Sequence, residues 1–312
     1  MKNLYAFKQY EHPNDLSDLF TLVRRRPAGR ELDFPSLADL RELMEVDNTR
    51  KATRLWTAVG GELAGFAILH RGETYASLNL EIAAHENEDA LAGEMIAWAE
   101  GFFHAQYPGK ANGISVTTGE TDLTRIALLD RHGFRRQKET SLVLERNLAD
   151  PLPSPDIPTG FSLRSLSGGE EAAWVALHQA AFGTQNMTLA IRQAMTQAPD
   201  YDSRLDLVAV AQDGSLAAYV YGSISYEENE LSGSKIGYTD PIGTHPDYQR
   251  KGLSRALLFE CLRRLRERGM EVARLGTGSW NMAMQRAAES AGFRVVRRSL
   301  LFEKSIRHEY SP

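Results

Sequence analysis

The sequence contains two halves that repeat one order of segments, and this repeat constrains the fold more than any other feature. Residues 55–69 and residues 207–221 both have the pattern of a strand, a tight turn and a second strand. Each half also closes on a glycine–phenylalanine pair that is followed by an alternating strand. These pairs are Gly133-Phe134 and Gly292-Phe293. A repeat of about 155–160 residues indicates a duplicated domain rather than a solenoid.

A proline-rich stretch separates the halves. Four prolines lie between Asp150 and Gly160, and proline fixes φ and cannot donate a backbone hydrogen bond, which excludes a helix or a central strand. We therefore predict a domain over residues 1–149, a linker over residues 150–160 and a second domain over residues 161–312. Because helices are interspersed with hairpins, we expect mixed α/β domains, each a mainly antiparallel sheet flanked by helices.

Composition excludes several classes of protein. With 36 basic and 41 acidic side chains the net charge is −5, which argues against nucleic acid or an anionic membrane as a partner. No apolar run is long enough to span a membrane. The single cysteine, Cys261, cannot form an intramolecular disulfide, which fits a reducing compartment, so we expect a cytoplasmic protein. No histidine or cysteine pair has metal-ligand spacing, so we predict no metal site. The oligomeric state cannot be read from the sequence.

A loop rich in small and basic residues precedes the long amphipathic helix of the second half, whose apolar stripe runs from Leu253 to Leu265. The first amide groups of a helix are unpaired and attract anions. Gly252 has no side chain to block a close approach, and three cations surround it. These are Arg250, Lys251 and Arg255. The loop therefore predicts a pyrophosphate site.

The same stretch resembles the acetyl-CoA signature of the GNAT superfamily of N-acyltransferases. The resemblance rests on the strand-like stretch that leads into His245-Pro246, on this pair itself and on the run Gln249-x-x-Gly252-x-Ser254. Serine stands at the last position of the run, where the family usually has glycine or alanine. Downstream, Asn281 and the pair Gly292-Phe293 follow at the family's spacing. The resemblance covers residues 160–306 and implies two tandem GNAT-like domains, of which the second binds acetyl-CoA as co-substrate.

The resemblance assigns cofactor-binding roles residue by residue. The strand before the loop would bind the pantetheine arm through its backbone, at Ile242, Gly243 and Thr244. The loop and the first helical turn would hold the pyrophosphate, chiefly through backbone N–H groups. The residues concerned are Gln249, Arg250, Lys251, Gly252, Leu253, Ser254 and Arg255. Asn281 matches a residue that contacts the cofactor, and it fits equally well as the N-cap of the helix that follows.

The resemblance also implies direct transfer of an acetyl group to the primary amine of a small molecule. A base must remove a proton from the amine, and Asp240 and Glu228 (or Glu230) are the candidates, with Asp240 slightly preferred. Many family members use a tyrosine of the last helix to protonate the thiolate, but Ala288 occupies that position here. We therefore name Tyr248 as the candidate acid, with Tyr221, Ser254 or solvent as alternatives.

The first half keeps the strand but loses the loop. Residues 78–82 remain strand-like, whereas Glu86, Glu88 and Asp89 stand where a pyrophosphate would lie. Like charges would repel that ligand, so we expect this half to be a degenerate domain without acyl-CoA.

Two other functions remain open at this stage. The chain fits a non-catalytic acyl-CoA binder or sensor, because Ala288 replaces the usual acid. It also fits an acetyltransferase of peptide or protein N-termini, because acceptor pockets are built from variable loops such as residues 185–201.

Overall fold

The structure is a computed structural model that describes residues 5–26, 30, 33–70, 72, 74–83, 88–106 and 112–306. Two compact units are present. Unit 1 comprises Met1–Ser141 and Arg298–Pro312, and unit 2 comprises Leu142–Arg297.

Unit 1 is a sheet with helices on both faces. Its elements in chain order are β1 (Tyr5–Gln9), α1 (Leu16–Arg24), α2 (Leu37–Glu45), α3 (Asp47–Lys51), β2 (Thr53–Ala58), β3 (Leu63–His70), β4 (Ala76–Ile82), α4 (Glu88–Gln106), β5 (Gly113–Gly119) and α5 (Leu123–Arg131). A long strand, β6 (Arg135–Asn147), then leads from unit 1 into unit 2.

The sheet of unit 1 is antiparallel except at one step. Strands β1 to β4 pair antiparallel in chain order, and β4 pairs parallel with β5 through only two residues, Ala76 and Ser77. The last strand of the chain, β13 (Arg294–Ser305), pairs antiparallel with β5 from Ser299 to Ser305. The strand that completes unit 1 therefore comes from the far end of the sequence.

Unit 2 repeats the order of elements. They are β7 (Phe161–Ser165), α6 (Glu171–Phe182), α7 (Leu189–Gln197), β8 (Asp206–Ala211), β9 (Leu216–Tyr221), α8 (Tyr226–Ser232), β10 (Ile236–Tyr238), β11 (Ile242–Thr244), α9 (Leu253–Glu267), β12 (Val272–Gly278) and α10 (Met282–Ser290). Strands β7, β8, β9 and β11 form one antiparallel sheet, and β10 pairs parallel with β12, which neighbours β6. The mixed, mainly antiparallel α/β fold expected from the sequence is confirmed for both units.

The core of unit 2 lies on two faces of its strands. The α9 face is apolar, and Leu257, Cys261 and Phe293 are buried there. On the opposite face α6 contributes Trp174 and Leu177, which pack with Tyr219 of β9. The side of the strand on which a residue lies therefore decides whether it faces α9 or α6.

The proline-rich stretch has neither helix nor strand from Pro151 to Pro158, as expected from its composition. The division between the compact units falls elsewhere, after Ser141 and after Arg297. The reason is that unit membership follows the sheets: the end of β6 belongs to unit 2, and most of β13 belongs to unit 1.

The single thiol should be inert in the native protein. Cys261 is fully buried on α9, and burial raises the pKa of its thiol to about 12, so the reactive thiolate is scarce near neutral pH. We expect a thiol reagent to leave the native chain unlabelled and to label it once unfolding exposes Cys261. Fast labelling without denaturant would contradict this placement.

Candidate active site

The strands of unit 2 split at one point, and this split defines the candidate site. β10 pairs with β12 from Ile236↔Val272 to Tyr238↔Arg274. After three intervening residues the chain continues as β11, which pairs with β9 on its other side, and β11 and β12 belong to different sheets. The result is a gap between β11 and the second half of β12.

The backbone of β11 directs hydrogen-bonding groups into this gap. The N–H of Tyr221 donates to Pro241 O (3.0 Å), and the N–H of His245 donates to Ala217 O (2.9 Å). Because bonds in an antiparallel pair involve every second residue, Gly243 is also directed toward β9. The N–H and C=O groups of Ile242 and Thr244 therefore point to the opposite edge, where β12 has turned away.

The start of α9 is an open cluster of amide groups. Arg250 and Gly252 have positive φ angles of 62° and 87°, and such changes of hand along the backbone gather successive N–H groups into an anion-binding concavity. Gly252 is the N-cap, and no described side chain caps the amides of the first turn. Those amides, on Leu253, Ser254 and Arg255, are therefore available to an anion.

Side chains around this turn add charge and order. Arg250, Lys251 and Arg255 are exposed, and Lys251 Nζ lies 5.6 Å from the ring centre of Tyr248. The Ser254 hydroxyl shares a hydrogen bond of 2.7 Å with the hydroxyl of Thr244. This bond ties the first turn of α9 to the end of β11, so Ser254 already has a partner.

Asp240 lies at the closed end of the gap. Its Oδ2 accepts a hydrogen bond of 3.2 Å from the N–H of Gly276, at the point where β12 leaves its neighbour. Burial raises the pKa of the Asp240 carboxyl to about 6, although backbone hydrogen bonds work in the opposite direction. A carboxylate with such a pKa is ionised at neutral pH and basic enough to accept a proton.

Glu228 contacts β10, the strand that precedes Asp240, through a hydrogen bond with Tyr238. The hydroxyl of Tyr238 donates to Glu228 Oε2 at 3.4 Å and accepts from Arg274 Nη1 at 3.3 Å. Arg274 is held in turn by Glu145, with 2.6 Å between Nη2 and Oε1. Burial raises the pKa of Tyr238, and the charge of Glu228 raises it further.

These groups share one face of the strand. A Cβ on Gly237 would meet Leu265 of α9, so Tyr238, the next residue of β10, faces away from α9. Asp240 Oδ2 lies 3.3 Å from the position of a Cβ on Gly276, and Gly276 alternates in β12 with Leu275, which packs in the α9 core, so this carboxylate also lies on the face opposite α9. The sequence predicts a role for Asp240 and Glu228 but none for Tyr238 or Arg274. The spacing of Tyr238 two residues before Asp240 is the signal that could have identified it.

The other predicted residues lie elsewhere. The hydroxyl of Tyr248 is bonded to Ser215 in the β8–β9 hairpin at 2.9 Å, so its hydrogen bond leads away from Asp240. Asn281 is the N-cap of α10, and its Oδ1 accepts from the N–H of Met284 at 3.1 Å. Ala288 is fully buried.

In the described part of the chain, no helix is long and apolar enough to span a membrane.

The gap of unit 1 differs. There Arg125 of α5 donates from Nη2 to the backbone oxygen of Leu80 on β4, and the neighbouring Glu81 is buried against Arg26. Glu88 and Asp89 occupy the first turn of α4, whereas Glu86 lies outside the described residues. In unit 1 the guanidinium of Arg125 is therefore bonded to a backbone oxygen on the strand edge that corresponds to the open edge of β11.

Comparison with known proteins identifies the class. Residues 172–293 match the model of the acetyltransferase (GNAT) family. The fold is similar to a GCN5-related N-acetyltransferase from Sphaerobacter thermophilus, with a TM-score of 0.78 and 22% identity over 99% of this chain and 98% of that one. It is also similar to a tandem GNAT protein from the clavulanic acid biosynthesis pathway, with a TM-score of 0.72 and 16% identity over 96% and 98% of the two chains. The chain carries a GNAT acetyltransferase domain within a tandem GNAT-like fold and is an N-acetyltransferase.

Two curated relatives cover nearly the whole chain. The mycothiol acetyltransferase of Salinispora arenicola is 27% identical over 304 residues, which is 90% of both chains. The mycothiol acetyltransferase of Thermobispora bispora is 29% identical over 286 residues, or 87% of this chain and 94% of that one. The tandem GNAT-like layout that the resemblance implies is therefore confirmed, and the family implies an acyl-CoA as co-substrate.

Proposed function

We propose that this protein transfers the acetyl group of acetyl-CoA directly to the primary amine of a small molecule, and that unit 2 carries the reaction. The observation that supports this most strongly is one continuous path of polar groups. It runs from the uncapped start of α9, along the open edge of β11, to the carboxylate of Asp240.

The proposed binding mode follows the same path. The amides of Leu253, Ser254 and Arg255 bind the pyrophosphate, and Arg250 and Lys251 neutralise part of its charge. The backbone groups of Ile242 and Thr244 bind the pantetheine arm as a neighbouring strand would. Gln249 and Gly252 shape the turn, and Gly243 leaves room for Tyr219, whose ring a side chain at 243 would strike. Asn281 supports the site as a helix cap.

In the proposed reaction, Asp240 takes a proton from the ammonium group of the acceptor. The free amine then attacks the thioester carbonyl, the new C–N bond forms and the C–S bond breaks. The nitrogen loses a second proton as the amide forms, and this proton replaces the one that the acid gives to the thiolate. The leaving thiolate requires a proton. Tyr238 lies on the face of Asp240 and bonds to Glu228, so we assign this role to Tyr238 in preference to Tyr248, whose hydroxyl is bonded to Ser215.

A small-molecule acceptor is supported by the relatives of this chain, which are mycothiol acetyltransferases. The test is release of free CoA thiol from acetyl-CoA across a panel of small amines and peptides with free N-termini. We expect amine-dependent release with the small amines. Release with peptides alone would contradict the proposed acceptor class, and binding of CoA without release by any amine would contradict the proposed reaction.

We further expect CoA to bind to unit 2 alone, at about one molecule per chain. In unit 1 the charges of Glu88 and Asp89 would repel a pyrophosphate, and Arg125 is already bonded to the strand oxygen that a pantetheine would need. Isothermal titration measures the stoichiometry directly. The matched control is Arg131→Gln, which removes the surface partner of Asp89 and should leave the stoichiometry unchanged. Two molecules bound per wild-type chain would contradict this assignment.

A further inference from the structure

Helix α7 is attached to unit 2 in an unusual way. Among its described residues the only buried side chain is that of Arg192, whereas Leu189 and Ile191 are 43% and 46% exposed. A surface helix normally turns an apolar stripe toward the core. α7 instead turns a cation inward.

Arg192 reaches an unusually enclosed set of partners. Its guanidinium pairs with the carboxylate of Asp206, and both side chains are fully inaccessible to solvent. The guanidinium carbon lies 4.1 Å from the ring centre of Trp174 and 5.6 Å from that of Tyr221. Three secondary-structure elements, α6, β8 and β9, therefore meet at this one side chain.

Asp206 also holds the chain beyond α7. The hydroxyl of Tyr201 donates to Asp206 Oδ2 at 2.8 Å, and the ring of Tyr201 lies 6.4 Å from that of Tyr221, with 17° between the ring planes. The carboxylate of Asp206 thus holds this stretch at two points, Arg192 and Tyr201. We call residues 189–201 the acceptor-side segment.

This anchor is not built for stability alone. Arg192 Nε and Nη1, Asp206 Oδ1 and Trp174 Nε1 are buried without a hydrogen-bond partner among the described residues. A buried ion pair with unsatisfied atoms is a poor source of stability compared with apolar packing. Its value lies in directing the segment to one position.

That position borders the candidate active site. Asp206 is paired in register with Tyr221, and the N–H of Tyr221 donates to Pro241 O, next to Asp240. Tyr221 lies on the same face of β9 as Tyr219, which contacts His178 of α6, and Asp240 also faces away from α9. The acceptor-side segment therefore packs on the face that carries Asp240.

Residues 185–201 are already expected to help build the acceptor pocket. We propose that Arg192 and Tyr201 are positioning residues that hold the acceptor-side segment at the amine site through Asp206. The proposal rests on the proposed function, because it assumes that the amine approaches Asp240 on this face. Neither residue takes part in the chemistry.

The test uses Tyr201→Phe, which removes one hydroxyl and leaves the buried ion pair in place. A hydrogen bond to a charged group accounts for about a tenfold effect, so we expect the KM for the amine to rise about tenfold. We expect kcat to stay within about twofold and the KM for acetyl-CoA to stay unchanged. Arg192→Met should act in the same direction and more strongly.

The matched control is Arg164→Met, which removes the more exposed ion pair with Glu170 in the same unit and should leave the amine KM unchanged. A fall of kcat and of both affinities in proportion to lost thermal stability would assign Tyr201 a merely structural role. An unchanged amine KM in folded Tyr201→Phe would overturn the proposal.

Hydrogen exchange separates this proposal from the proposed function. In Tyr201→Phe we expect faster exchange in residues 189–201 and no change in α9, whether or not any amine in the panel is acetylated. Unchanged exchange in residues 189–201 would show that Asp206 does not hold the segment. Absence of amine-dependent thiol release from the wild type would instead contradict the proposed function.

Discussion

Replacing Asp240 by asparagine is expected to lower kcat by about a hundredfold, the usual size of a general-base contribution. The amide oxygen of asparagine can still accept the hydrogen bond from Gly276, so the strand geometry is retained while the base is lost. In the wild type, kcat/KM should rise about tenfold per pH unit below the Asp240 pKa of about 6 and level off above it. Asp240→Asn should lose this limb of the profile, measured with one amine throughout.

Stability measurements provide the control for Asp240→Asn. The folded-state pKa of Asp240 is above its ordinary value of 3.8, so the carboxyl favours folding at low pH and this contribution is lost as pH rises through about 6. The variant lacks the buried charge and should be at least as stable as the wild type at pH 8. A larger loss of turnover in Glu228→Gln than in Asp240→Asn would move the role of base to Glu228.

Replacing Gly252 by valine is expected to raise the KM for acetyl-CoA by about a hundredfold. Gly252 has a φ of 87°, a conformation that costs an L-residue about 1–2 kcal/mol, and relief of this strain would move the amides of the first turn of α9. Loss of a hydrogen bond to a charged phosphate contributes about another 1.5–3 kcal/mol. Equilibrium binding of CoA measures the effect without an acceptor.

The control lies at the other end of the same helix. Gly269 follows α9 with a φ of 79°, and a Cβ there would meet open space. Gly269→Val should therefore cost similar stability and leave CoA affinity unchanged. Equal loss of affinity in both variants would attribute the effect to destabilisation of α9 and would remove the support for a pyrophosphate site at Gly252.

Features that depend on local chemistry were predictable from the sequence. The apolar stripe from Leu253 to Leu265 predicts α9, and the strand–turn–strand pattern of residues 207–221 predicts β8 and β9, with Asp213 and Gly214 in the turn between them. Gly292 follows α10 with a positive φ, Phe293 is buried, and β13 begins directly after this pair, as the repeat predicts. In each case the signal is contained in a few neighbouring residues, and tertiary packing does not alter it.

Features that depend on pairing between distant segments were not predictable. The partnership of Tyr238 with Glu228 and Arg274 requires the parallel register of β10 and β12. Arg192 lies in a helix whose sequence gives no reason to bury a cation, because the partner Asp206 follows 14 residues later and is brought close only by the sheet. The spacing of residues in the sequence does not indicate which distant segments will be in contact in the fold.

The exchange of strand segments between the two units has a consequence for how such a protein can evolve. Residues 299–305 pair with β5 of unit 1, although they follow the whole of unit 2 in the chain. A gene fragment that encoded either half alone would leave a sheet edge bare, and bare edges promote aggregation. Once a duplicated ancestor had closed in this manner, loss of the first half would have left residues 299–305 without their strand partner. The first half can thus be retained by selection on folding alone, whatever it binds.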